Sequence, residues 1–544
     1  MTYNGPRTGG TPPGEPSVAG ASTGAGLAVL ASACVLGVLG DALLRIGPWG
    51  INATLWLAGF LAALVVLRRR LAPAQVRTEA AWASVALAFA LALAWRDSIA
   101  LKLLDLAAVG TIVSLPFLRP LGARLRSATL TALGAAGVLA GLHAAFGAVV
   151  LILSDIRWRE LRGERRSARV LATARGVALA LPLLAVFGAL LVAADAVFAH
   201  FVTEVLEIDI ERIVWHLIVA GFIAWVAAGV LRGVLFKERV APFWDDLPLR
   251  PHLGVVETVV ALGLVDLLFL SFVVVQVRYL FGGEQYLGSV PGLTYAAYAR
   301  AGFFELVAVA ALAIPMLLLA DWLLRCEDAR SVRTFRALAG MTAVLLSVIM
   351  ASALRRMLLY TEEYGLSEQR LYTLACMAYL AAVLAWFALT VLRGRRERFA
   401  GGALIAGLAV VAALNVCNPE SVIARVNLDR AAASRRFDAR YASTLSADAT
   451  PELVSGLAAL DREERAAVIA GLARKWQRLK AADWRTWSWS RARALRALES
   501  APDEVRALPA GAREDPRSGG SGPPSLREQE GHAGDGHHRP REGA

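Results

Sequence analysis

The chain has 544 residues, 57% of them hydrophobic and only 19% charged, with a mean hydropathy of +0.52. A water-soluble fold of this size would lack polar surface, so the composition excludes a set of soluble domains. The formal net charge of +12 does not point to nucleic acid, because Lys and Arg collect in short loops beside apolar blocks, where anionic lipid headgroups account for them.

Before the first apolar block, residues 1–23 are rich in Gly, Pro and Ser and lack the basic region followed at once by a short apolar core that marks a cleavable signal peptide. A disordered tail followed by a retained helix is expected. A hydrocarbon core of roughly 30 Å needs about 20 helical residues to cross it. Twelve apolar blocks have about that length: 24–44, 51–67, 80–95, 99–118, 128–153, 177–198, 213–231, 255–277, 302–324, 337–359, 371–392 and 401–416. The expected fold is therefore an all-α, polytopic helical membrane protein.

The loops after alternate blocks carry 26 Lys and Arg, against 9 in the remaining connections. Positive loops stay cytoplasmic, which places the N-terminus inside. One block breaks the alternation. Residues 128–153 have basic loops on both sides and contain Gly134, Gly137, Gly141 and Gly147, the pattern of a re-entrant or interfacial segment. About eleven spanning helices remain, and everything after Asn418 is expected outside.

Residues 418–500 read as a small extramembrane helical region, and 501–544 as a disordered tail rich in Gly, Pro, Arg and Glu. Thr450-Pro451-Glu452 marks a helix start, and Asp461 to Glu464 has capping-box spacing. A helix through 472–479 follows. Trp476, Trp484, Trp487 and Trp489 cluster before a helix at 491–498; their rings are expected to pack on the preceding helix, the alternative being the headgroup belt.

An ionisable group at the centre of a membrane costs roughly 2.5 to 3.5 kcal/mol on insertion scales, so each such residue needs a partner or a wet cavity. Lys102 with Asp105, three apart, and Asp321 with Arg325, four apart, can each neutralise on one helix face. Asp41, Asp195 and Glu257 lie near helix ends, and His143 and His216 read as structural hydrogen-bonding residues. Asp266 is different. It sits about 13 residues, roughly 20 Å, from the inner end of its helix and is the candidate buried proton or ion site.

Four cysteines, Cys34, Cys326, Cys376 and Cys417, stand singly, and no motif for a metal, a cofactor or a catalytic triad falls in a plausible context. No cofactor is expected, and an enzymatic reading has no positive support.

Three stretches carry a resemblance. The first runs from Phe272 through Gln276, Arg278, Tyr279 and Phe281 to Gly282-Gly283, and continues from Gly292 through Thr294, Tyr295, Tyr298, Arg300 and Gly302 to Glu305. The second comprises Ser352, Arg355, Arg356, Tyr360, Tyr364-Gly365-Leu366, Arg370 and Tyr372; the third is Asn418-Pro419 with Ile423, Arg425 and Asn427. Over roughly 25–500 the chain resembles a bacterial membrane-protein family catalogued as domain of unknown function 4173, related to 4153. The resemblance implies a fold and a bacterial cytoplasmic membrane, and it lends no activity. Where the family pattern has an acid between Ala296 and Tyr298, this chain has Ala297, so a role requiring that carboxylate is not implied.

With the N-terminus inside, Gln276, Arg278, Tyr279, Arg300, Glu305, Arg355, Arg356, Tyr360 and Arg370 all fall at the outer interface. They form the candidate outer-face cluster, placed to dock the C-terminal region or to bind an anionic envelope ligand. The favoured reading is a non-catalytic sensor, scaffold or accessory protein whose partners are the bilayer and an envelope component or another membrane protein. The alternative is a proton- or ion-coupled transporter using Asp266.

Overall fold

A computed structural model describes residues 23–71, 76–158, 210–236, 254–281, 303–323 and 329–507, with Phe187, Leu191 and Asp195 as isolated positions. The described residues are helical, with no strand among them. In chain order the long helices are α1 (Thr23–Leu44), α2 (Ile51–Leu71), α3 (Val76–Trp95), α4 (Ile99–Ser114), α5 (Leu130–Val150), α6 (Ile210–Leu235), α7 (Val255–Phe281), α8 (Phe303–Leu323), α9 (Ala329–Tyr364), α10 (Glu368–Thr390) and α11 (Phe399–Cys417). Among the described residues ten helical segments are long and apolar enough to cross a membrane, and Ala80–Trp95 is a shorter apolar helix. This is the polytopic all-α architecture that the composition predicts. The tail at 1–22, the block at 177–198, Arg300, Arg325 and residues 508–544 fall outside the described residues, apart from the isolated positions named above.

Two large apolar cores organise the described bundle, beside a smaller one around Leu306, Ile349 and Met357. One gathers side chains of α1 to α6, including Val29, Phe60, Phe89, Ile112 and Leu231; the other joins α7 to α11 around Leu317, Leu346 and Phe387. Helix α11 links them, contributing Phe399 and Ala403 to the second core while Leu404 and Leu408 pack on the first. Close approach in the first core depends on small residues: a Cβ at Gly37 of α1 would stand 2.4 Å from the carbonyl oxygen of Ala220 on α6. Helices without a side chain at the contact can bring their backbones together, which is how packing is gained where lipid tails compete for apolar surface.

Contacts between helix ends define two ends of the bundle. At one, His216 of α6 meets Asp41 of α1 (Nδ1 to Oδ2, 2.5 Å) and the α1–α2, α3–α4 and α9–α10 turns lie against the C-terminal helices. At the other, Arg68 of α2 donates to the carbonyl of Leu235 on α6, and Arg396 faces Asp321 of α8 across 3.8 Å. We call these the junction end and the basic end.

The segments flanking α5 do not alternate between the two ends. Before it, the carbonyl oxygen of Leu125 lies where a Cβ on Gly401, at the start of α11, would come within 2.7 Å. After it, Asp155 accepts from Arg232 near the end of α6 (2.6 Å), and Ile156 abuts Gly26 at the start of α1. Gly401, Arg232 and Gly26 all belong to the basic end. Although α5 is long enough to cross, the segments before and after it both contact the basic end of the bundle. Its Gly147 meets Gly229 of α6, so the glycines serve a close helix crossing.

After α11 the chain turns at Asn418, which adopts the left-handed conformation (φ 53°) and whose side chain caps the next helix through the amide of Ser421. A short polar side chain tolerates that backbone better than a branched one, and Pro419 then occupies the first helical turn without forfeiting a hydrogen bond. The Asn418-Pro419 motif is thus a corner between the apolar bundle and the C-terminal helical domain. The domain consists of α12 (Pro419–Ala432), α13 (Ala439–Thr444), α14 (Thr450–Ser455), α15 (Arg462–Lys480), α16 (Trp489–Glu499) and α17 (Asp503–Ala507). Its core includes Ile423, Leu453, Val468, Leu472 and Leu498 and reaches past residue 500 to Ala501 and Val505. Asp461 caps α15 through the amide of Glu464 (2.8 Å), as its spacing predicts.

Candidate functional site

The most polar buried region is the junction between this C-terminal domain and the bundle. It begins at the three-residue α3–α4 connection, Arg96-Asp97-Ser98, which two apolar helices force to the bundle's rim. The carboxylate of Asp448, with its side chain fully buried, accepts from the amides of Asp97 (2.6 Å) and Ser98 (2.9 Å) through Oδ2. It therefore serves as the missing cap of α4, whose own N-cap Ser98 makes no side-chain cap, and sits where the helix dipole favours negative charge. Its other oxygen faces Arg96 Nη1 at 3.6 Å and accepts from Ser490 Oγ. Arg96 is anchored in turn by donating Nε to the carbonyl of Asn415 (2.7 Å) and Nη2 to that of Val416 (3.3 Å) at the end of α11.

Asp97 provides the reciprocal tie. Its Oδ1 accepts from Lys102 Nζ (2.9 Å) on the bundle and from Arg491 Nε (2.8 Å) on α16. Burial works against ionisation, yet Lys102 and Arg491 overcome it and hold this carboxyl below its ordinary range. Ion pairs this enclosed rarely add net stability over apolar packing, but stranding one partner costs several kcal/mol, about 3–5. The network therefore specifies one docked arrangement.

Beside it lie two titratable groups that sequence inspection did not single out. Glu420, on the first turn of α12, accepts from the amide of Ser446; burial pushes its carboxyl up to about 7, with Asp448 adding repulsion. Lys475 of α15 donates to the carbonyls of Leu445 (2.6 Å) and Ser446 (3.2 Å), and burial lowers its ammonium to about 8.

Two further turns at the same end are held. At the α9–α10 turn, Asn427 donates to the carbonyl of Leu366 and accepts from its amide, both at 2.8 Å, while Arg430 donates to the carbonyls of Glu362 and Glu363. Those carbonyls end α9, where a cation satisfies both orphan acceptors and the negative end of the dipole. Tyr441 OH accepts from the amide of Glu368 at the start of α10 (2.8 Å). At the α1–α2 turn, the amide of Ile51 donates to the carbonyl of Trp487 (2.8 Å).

The sequence-predicted cluster is only partly brought into this region. Arg370 stacks on Tyr360, 4.1 Å from the ring centroid, and donates to the carbonyls of Tyr364 and Gly365, thereby bracing the turn that Arg430 grips. Gln276 lies inside the bundle, accepting from Ser352 Oγ at 2.5 Å. Arg355 and Arg356 stand on the last third of α9, and Glu305 is exposed on the first turn of α8. Arg278 and Tyr279 lie on α7, and Arg300 falls outside the described residues.

Two expectations are corrected. Lys102 pairs with Asp97 rather than Asp105; Asp105 accepts instead from Asn415 Nδ2 (2.7 Å), because the α3–α4 turn folds Asp97 over the lysine. Asp321 faces Arg396 across 3.8 Å, while Arg325, its expected partner, lies outside the described residues. The rings of Trp484, Trp487 and Trp489 do not pack against α15: they are 63%, 43% and 50% exposed, and of the four only Trp476 joins the domain core. Asp266 is buried as expected and accepts from Thr342 Oγ1 (2.6 Å); its second oxygen has no hydrogen-bond partner among the described residues. No group of three metal-ligating side chains occurs among the described residues.

Residues 83–456 match the family described as "Domain of unknown function (DUF4153)". The chain belongs to this family. The match names DUF4153, the relative of the family that the motifs suggest. It covers the span from α3 through α14, so both sides of the Asp97–Asp448 contact lie inside the DUF4153 match, whereas Arg491 lies beyond it. No curated protein and no solved structure matches the chain.

Proposed function

We propose that this DUF4153 protein is a non-catalytic scaffold or sensor of the bacterial cytoplasmic membrane, with its N-terminus inside and its C-terminal domain held on the outer face to bind an envelope component or a partner membrane protein. The observation that carries this reading is the triple attachment of the domain to the α1–α2, α3–α4 and α9–α10 turns, with Asp97 and Asp448 buried between them. A domain fixed at three points presents a surface of defined orientation. The excess of Lys and Arg in the loops that the sequence alternation places on the side of the N-terminus supports the orientation through the positive-inside rule. Of the candidate outer-face cluster, Arg370 and Tyr360 then belong to the support beneath the domain, with Arg370 bracing the turn it grips.

An impermeant maleimide on intact cells should label a single cysteine at Ala481 and spare one at Ser154, in a background without the native cysteines. A photo-cross-linker at Trp487 should then capture a discrete partner, and Asp448→Ala should weaken the capture. Protection of Ala481 from the maleimide, or cross-linking indifferent to Asp448, would overturn the proposal. The second reading, an ion-coupled transporter, draws on the unsatisfied oxygen of Asp266. It requires Asp266→Asn to abolish a coupled flux in vesicles, a change that the scaffold reading expects to be silent.

A further inference from the structure

A groove of about 790 Å³ runs along the face between α9 and α10, away from the junction. Its volume falls within the roughly 300–1,000 Å³ range of built small-molecule sites, and its wall is almost wholly apolar. Small residues open it: Gly340 and Ala343 on α9 face Ala381 and Ala385 on α10. At Gly340 a Cβ would meet only Leu392 Cδ1, at 3.8 Å, so the groove has room above its floor. From Arg336 to Leu354 the α9 side covers 19 residues, about 27 Å at the helical rise, a slot long and narrow enough for a hydrocarbon chain.

The two ends differ in charge. Leu354 and Leu374 line the end towards the junction, whereas the other ends at Leu392 and at Arg336, the one charged lining residue. The Arg336 guanidinium lies against the α10–α11 turn, its Nη2 2.6 Å from where a Cβ on Gly394 would stand. Exposed Arg393, Arg395, Arg396 and Arg398 follow in that turn, with Glu397 and Asp321 as the nearby acids. An apolar slot that opens under an excess of guanidinium groups is complementary to an amphiphile with a long chain and an anionic head.

We infer that the α9–α10 groove is a binding site for one anionic phospholipid, with an acyl chain lying along Gly340, Ala381 and Ala385 and the phosphate at Arg336. This occupant does not depend on what the C-terminal domain binds. A lipid without net charge would leave the excess of guanidinium groups over Asp321 and Glu397 uncompensated, and a free phosphate would not fill the slot.

The test reconstitutes the full chain into nanodiscs of equal phosphatidylglycerol and phosphatidylcholine, releases it from the lipid, and counts retained lipid by native mass spectrometry. Wild type should retain one phosphatidylglycerol. Ala381→Phe, an exposed position that fills the slot, should lower occupancy at least several-fold. Arg336→Gln, also exposed and hence not expected to disturb folding, should retain lipid but lose the preference for phosphatidylglycerol over phosphatidylcholine. The inference is overturned if wild type retains no lipid, or if Arg336→Gln keeps the wild-type preference. It is equally overturned if Ala381→Phe, with its melting behaviour intact, retains as much lipid as wild type; if that variant fails to fold, Arg336→Gln alone decides.

Discussion

Acidic side chains are buried in two regions of this protein, and they are treated differently. At the junction, Asp448 and Asp97 are surrounded by amides, two serine hydroxyls, two arginines and a lysine. Inside the bundle, Asp105 receives one donor, Asn415, and Asp266 receives one, Thr342, each leaving an oxygen without a hydrogen-bond partner among the described residues. A carboxylate provided with several charge-assisted partners specifies geometry, because every partner must be in place at once. One held by a single hydroxyl or amide constrains little. The comparison therefore assigns architectural weight to the junction and leaves the intramembrane acids as local solutions to burial.

The comparison can be broken most sharply at Asp448. Replacing it with alanine strands Arg96 and uncaps α4, which should cost about 3–5 kcal/mol of docking stability, read as faster hydrogen exchange across α12 to α16 with the bundle helices unchanged. Arg430→Ala removes the donor to two terminal carbonyls of α9 and should cost about 1.5–3 kcal/mol by the same readout, with exchange rising first at the α9–α10 turn.

Acidity provides a third test. Glu420 holds its proton up to about 7 in the folded domain, against an ordinary value of 4.5. Its contribution to docking is thus fully present below about 4.5 and lost as pH rises through about 7. Domain opening should be harder at the acidic side of that window than at pH 8, and Glu420→Gln should flatten the difference. The smallest effect is expected within the bundle: Asp266→Asn keeps an acceptor for Thr342 and should change domain opening by less than about 0.5 kcal/mol. An effect as large as that of Asp448→Ala would erase the distinction between the two regions.

Much of the bundle is legible in the sequence because apolar runs of membrane length have few alternatives. The basic loops on both sides of residues 128–153 set this block apart in the sequence, and the segments before and after α5 do meet the same end of the bundle. Side-chain partners are not legible. Spacing along a helix suggests Lys102 with Asp105, but the partner that wins, Asp97, is folded back by a turn, and its second cation, Arg491, lies 394 residues away. Asp448 sits in a short 3-10 turn with no motif around it, and its role arises only when the domain folds over α4. The one hint available was Arg96-Asp97, an ion-rich connection too short to reach water freely between two apolar blocks. The tryptophans mislead for a related reason: Trp484, Trp487 and Trp489 flank the α1–α2 turn, where a backbone carbonyl makes the contact and the rings remain outward.

The most direct test of the junction is a double-mutant cycle between Asp97→Asn and Arg491→Met, reading the free energy of domain opening from hydrogen exchange at residues 446–448 in the full-length protein. The account predicts that the two changes couple by at least about 1 kcal/mol, because they remove the same buried ion pair across the junction. Additivity to within about 0.3 kcal/mol would show that bundle and domain do not share this contact, and would contradict a domain docked through its ion pairs.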